Sequence, residues 1–168
     1  MAAVYLSAWT ATLLWWAGVW RLSDGRPWRG VWAAGAAALA VHEAVAMHLA
    51  HGWSHAAAYE HTARAGGVGW GVYVNYLMLA VWAADAAWVW GWPAGYARRP
   101  RWVGRAVHGF LGFVVFNATV VFGGWPARVV FGVLFAPLIV RVVSGDATGV
   151  PSPPAGRTAN PSTPPPRR

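Results

Sequence analysis

Five of the six histidines, His42, His48, His51, His55 and His61, lie between positions 42 and 61, with Glu43 and Glu60 among them. Imidazole and carboxylate are the metal-binding and proton-handling side chains this chain has, because it contains no cysteine. That absence excludes disulfides, thiolate metal sites, iron–sulfur clusters and a cysteine nucleophile. On one uninterrupted helix, at about 100° per residue, His48, His51 and His55 fall within about 60° of one another and form a stripe. Imidazoles spaced three and four apart on a helix can chelate one divalent transition metal, and zinc, copper and iron all accept this ligand. His61, Glu43 and Glu60 are further candidate ligands, whereas His42 points to the opposite side of that helix. A histidine at a membrane boundary can equally be satisfied by water and backbone. Gly52-Trp53-Ser54 offers a second geometry, in which glycine ends one helix and Ser54 caps a short amphipathic one over 54–64. The sequence leaves both open.

The HxxxH element at His51–His55 resembles one box of the membrane di-iron desaturases and hydroxylases. Those families carry further HxxHH-type boxes, and none is present, so the assignment fails. Haem is not supported either, because axial histidines must face each other at one depth. His108, outside the cluster, lies far along the chain from His42. No serine has a nucleophile elbow, and no catalytic residue is assigned. Gly66-Gly67-Val68-Gly69 lacks the strand and the GK(S/T) ending of a phosphate loop.

Two acids sit in costly places. Glu43 lies about 12 Å inside an apolar run, where a charge costs on the order of 2.5–3.5 kcal/mol. It must be protonated, be paired or face a polar interior with Ser7, Thr10, Thr12, Asn75, Asn117 and Thr119. Asp85 lies deep in a third apolar run, at a depth that matches His108 and Arg141 within about one helical turn. The expectation is a buried polar group of Asp85 with His108 or Arg141, since an acid and a base at one depth relieve each other.

Positioning these residues falls to five apolar runs, over about 2–20, 31–50, 72–92, 106–122 and 126–143. A spanning helix takes about 17–25 residues, and in lipid only a helix satisfies the backbone of such runs. Hydrophobic residues make up 57% of the 168-residue chain and charged residues 11%. A soluble domain has about 45–50% and about 25%, so an ordinary water-soluble globule is excluded. The expected fold class is an all-α integral membrane bundle of five transmembrane helices over residues 1–143.

The basic residues orient it. The 13 cations are all arginine, so the net charge of +8 reads as membrane topology rather than nucleic-acid binding. Arg21, Arg26 and Arg29 fill the first loop, and Arg98, Arg99, Arg101 and Arg105 the third. Arg157, Arg167 and Arg168 lie in the tail, while the second and fourth loops hold only Arg64 and Arg128. By the positive-inside rule the N-terminus lies outside and the C-terminus in the cytoplasm. Tryptophans gather near the run ends, as interfacial anchors do. The N-terminus lacks a basic n-region, so it reads as a first span rather than a cleaved signal. The proline-rich segment 144–168 reads as a disordered cytoplasmic tail able to meet a protein partner. Arginine without lysine, with abundant Ala, Gly and Val, points to a GC-rich bacterial source and an inner (plasma) membrane.

The resulting expectation is a small polytopic, non-enzymatic membrane protein. It binds a metal ion or small ligand, or relays protons, at an outer-facing His/Glu pocket. Two alternatives stay open: an accessory subunit of a membrane complex with no site of its own, and a His-ligated membrane metalloenzyme.

Overall fold

The computed structural model describes residues 2–23 and 28–143, with side chains for 2–22 and 28–140. The expected tail over 144–168 and the side chain of Arg141 lie outside these. The described chain is helical, without a strand. Its elements are α1 (Ala2–Ser23), α2 (Arg29–Leu49), α3 (His55–Gly66), α4 (Gly71–Gly91), α5 (Pro93–Ala97), α6 (Arg101–Phe116) and α7 (Trp125–Val143). A single π turn, Asn117–Val121, extends α6.

Four of the helical stretches, Ala2–Leu22, Arg29–Leu49, Gly71–Gly91 and Arg101–Val121, are long and apolar enough to cross a membrane. That is the make-up of an all-α membrane protein, compatible with contact to a lipid bilayer. The described apolar part of α7, Trp125–Val140, is shorter. These helices fall within a few residues of the expected runs, because length and apolarity fix them.

Aromatic rings filling gaps beside small residues make the core. Trp32, Trp82, Leu111 and Phe131 are fully enclosed. Gly18 of α1 admits the Trp32 ring, since a Cβ there would lie 2.9 Å from its Cε3. Gly35 of α2 admits Trp82 in the same way. From α1, Trp9 packs on Phe131 at 5.3 Å and Trp15 on Phe135 at 5.5 Å between ring centroids, tying α7 to the bundle. The indole N–H of Trp16 donates to the Leu134 carbonyl at 2.9 Å. That carbonyl lies next to the turn that Pro137 deprives of a donor.

At the α3 end of the bundle, α2 stops and the chain reverses. Gly52 and Trp53 take positive φ values of 54° and 61°, uncommon for a tryptophan. Ser54 then caps α3 by accepting from the Ala57 N–H at 3.2 Å. Also at this end, Arg128 donates to the Gly123 and Val121 carbonyls at 2.7 and 3.1 Å. It thereby satisfies backbone acceptors left over where α6 and its π turn end.

Candidate functional site

The turn at Gly52–Trp53 decides the fate of the histidines. Of the two geometries the sequence allows, the break forms and the continuous stripe does not. The reason is local: α2 ends at Leu49, so His48 and His55 belong to different helices. His48 accepts from the Trp53 indole N–H at 3.2 Å. His55 stacks on Tyr76 at 5.5 Å, with its Nδ1 3.2 Å from the Tyr76 hydroxyl, and touches Tyr73. His51 meets His61 across the turn, ring centroids 5.2 Å apart and edge to face. Glu60 is exposed on α3. Among the described residues no three His, Asp or Glu side chains converge as metal ligands would. His51 and His61 are the pair the fold brings together. Partial burial, and then the positive charge of His61, hold the His51 imidazole below its ordinary pKa.

Beside this pair lies a cavity of about 340 Å³, formed between α1, α2, α3 and α4. Tyr5, His42, Glu43, His51, His61, Thr62, Asn75 and Tyr76 supply its polar lining. A deeper chamber of about 110 Å³ shares His42, Glu43 and Asn75 with it and ends against Trp82. His42 is held by a 3.1 Å contact between its Nδ1 and the Ser7 hydroxyl. Tyr76 directs its hydroxyl toward the Met47 sulfur at 3.8 Å. Glu43, by contrast, makes no hydrogen bond or ion pair among the described residues. No arginine lines either space, and the chain has no lysine. A half-buried carboxylate therefore faces water-accessible volume with imidazoles, hydroxyls and an amide around it.

A second polar group sits toward the opposite end. Asp85 is 4% exposed. Its Oδ2 accepts from the Trp32 indole N–H and the Tyr96 hydroxyl, both at 3.0 Å. Its Oδ1 forms an ion pair with Arg99. The Arg99 guanidinium also lies 3.6 Å above the Tyr96 ring. Burial first, and then the Asp85 charge, push the Tyr96 phenol well above its usual range. Among the described residues the charged partner of Asp85 is thus Arg99 and not the expected His108; the other expected base, Arg141, has its side chain outside the described residues. The short helix α5, started by Pro93, folds the loop back under the bundle, so a residue counted as loop reaches an acid inside α4. His108 packs on the other face of the group, its ring 4.9 Å from that of Trp32, and its two ring nitrogens are buried without hydrogen bonds.

Sequence reasoning missed Trp32, Tyr96 and Arg99 as partners of Asp85. The available signal was that a buried carboxylate needs several donors, and these are donor side chains flanking the same end of the bundle. Compared with protein-family models, curated proteins and solved structures, the chain matches none.

Proposed function

We propose that the protein binds a small organic cation, an ammonium compound, in the cavity at Glu43. In this reading the chain spans the membrane five times, with its N-terminus and the α3 end outside and its C-terminus in the cytoplasm. The observation that carries the reading is the unpaired Glu43 carboxylate, half-buried in about 340 Å³ of cavity that no arginine lines. A carboxylate within a spanning segment wants a counter-charge, and here no arginine beside it supplies a permanent one. The volume lies within the roughly 300–1,000 Å³ of small-molecule sites. Tyr5, Tyr76 and Met47 offer the aromatic and polarizable surface that ammonium groups favour.

The test is calorimetric titration of the detergent-purified full chain with tetramethylammonium, and separately with Zn²⁺. Saturable tetramethylammonium binding that Glu43→Gln abolishes is the expected result. Its absence from the parent, or its survival in Glu43→Gln, overturns the reading. Zn²⁺ binding that is lost in His51→Ala and His61→Ala but kept in Glu43→Gln, with no tetramethylammonium binding, replaces it with a metal site at the histidine pair.

A further inference from the structure

Opposite the α3 end, positive charge gathers where α2 begins, α4 ends and α6 begins, with α5 between the last two. Arg98, Arg99, Arg101 and Arg105 fall within eight residues there. The Trp28 ring lies 5.9 Å from that of Tyr96, which sets Arg29, at the start of α2, at the same end. Arg99 turns inward. Gly104 leaves it room, since a Cβ there would lie 3.1 Å from its Nη2, and Asp85 neutralises it. The others stay outside. Arg29, Arg98, Arg101 and Arg105 are exposed, and no acid among the described residues pairs with them. The other two described acids, Glu43 and Glu60, lie toward the α3 end.

This charge is locally unfavourable. Arg101 and Arg105 share one face of α6 four residues apart, and like charges at that spacing repel. The first turn of α6 holds no acid, so the helix dipole adds to the field of Arg101 instead of offsetting it. Exposed indoles surround the arginines: Trp90, Trp92 and Trp102 are 61%, 59% and 68% exposed. Such rings suit the headgroup layer, where the apolar face meets acyl chain and the N–H stays wet. Gly71–Gly91 and Arg101–Val121 are each long and apolar enough to cross a membrane, so these side chains fall where a spanning helix leaves the hydrocarbon.

We infer that Arg98, Arg101 and Arg105, with Arg29 beside them, dock anionic phospholipid headgroups. Guanidinium forks match phosphate oxygens in bidentate pairs. A headgroup with net negative charge is favoured over a zwitterionic one, whose own cation offsets its phosphate. Basic clusters next to a spanning helix attract anionic lipid in this way. The inference rests on α4 and α6 crossing the bilayer, as proposed above, and is independent of the Glu43 cavity.

The test reconstitutes the full chain into vesicles of phosphatidylcholine and phosphatidylglycerol in equal parts, with brominated acyl chains on one lipid or the other, and reads quenching of tryptophan fluorescence. Brominated phosphatidylglycerol should quench the parent more strongly than brominated phosphatidylcholine. Arg98→Gln/Arg101→Gln/Arg105→Gln should lose that preference, by up to about five-fold in relative affinity per arginine. Arg64→Gln, at the α3 end, should keep it. Parental elution and helix content establish that the triple variant is folded. Equal quenching of the parent by the two lipids overturns the docking surface and leaves the spanning helices standing. Parental preference in the folded triple variant also overturns it. A preference abolished by inorganic phosphate, but not by chloride at matched ionic strength, replaces the lipid with a soluble phosphate. Quenching by neither lipid would mean that the helices do not meet acyl chains, and the spanning reading would fall together with the docking surface.

Discussion

Asp85 carries the clearest energetic consequence in the molecule. Three donors converge on a carboxylate that is 4% exposed, and one of them is charged. Removing one partner of a buried ion pair costs about 3–5 kcal/mol, because the other charge stays buried without compensation. Asp85→Ala should therefore lower the detergent melting temperature strongly, and Arg99→Ala should do the same. Asp85→Asn keeps acceptors for the Trp32 and Tyr96 donors and should lose less than Asp85→Ala. The double variant Asp85→Ala/Arg99→Ala should melt above either single alanine variant, since it leaves no orphan charge. Thermal melts of the parent and the four variants check this, and additive losses in the double variant would mean that the pair is not coupled. The depth of Asp85 was legible in the sequence, as was its need for a base. The identity of that base was not. Arg99 reaches Asp85 only because α5 turns the loop inward, and no spacing along the chain encodes that fold-back.

At the scale of elements, the long apolar helices could be read from apolar length alone. The expected run over 31–50 became Arg29–Leu49, and that over 72–92 became Gly71–Gly91. The junction between α2 and α3 could not, because Gly52 is compatible with a helix interior at a cost of about 1 kcal/mol and equally with a left-handed turn. The cap on Ser54 is one local term favouring the turn, and Ser54→Ala should weaken α3 by about 0.5–2 kcal/mol. Hydrogen exchange at the first α3 amides, Ala57 above all, should rise in that variant while exchange within α4 stays unchanged. The seating of α3 is also coupled to pH through His51. Its folded pKa lies below the ordinary 6.5, so the opened form binds the proton more readily. The stability of the docked α3 is then fully present above about pH 6.5 and declines as pH falls from there toward the lowered value. His61→Gln removes the like charge and should flatten that decline, which hydrogen exchange of α3 at stepped pH would measure.

For the whole molecule, the arrangement that gives the Glu43 cavity a meaning is its orientation. Arginine alternates along the chain: three at the junction of α1 and α2, four at that of α4 and α6, and one each between α2 and α4 and just past the start of α7. The proposed orientation, with the α3 end outside, rests on that alternation under the positive-inside rule, and the rule holds at every turn only if α7 also spans. A 19-residue helix is about 28 Å long at 1.5 Å per residue, close to the ~30 Å hydrocarbon core. Because the chain has no cysteine, a single introduced thiol reports topology without background. The fold guides where to put it. Gly67 is left-handed, with φ 79°, and a Cβ at Gly95 would strike Trp92, so both are poor choices. Val68 and Ala97 are exposed, at opposite ends of α4. In intact cells a membrane-impermeant maleimide should label Val68→Cys and spare Ala97→Cys until the membrane is opened. The reverse pattern would turn the molecule over and place the Glu43 cavity, with whatever it binds, on the cytoplasmic side. Labelling of both in intact cells would mean that α4 does not cross the bilayer. That outcome would remove the reason for an unpaired carboxylate to be costly, and the argument for a cation at Glu43 would go with it.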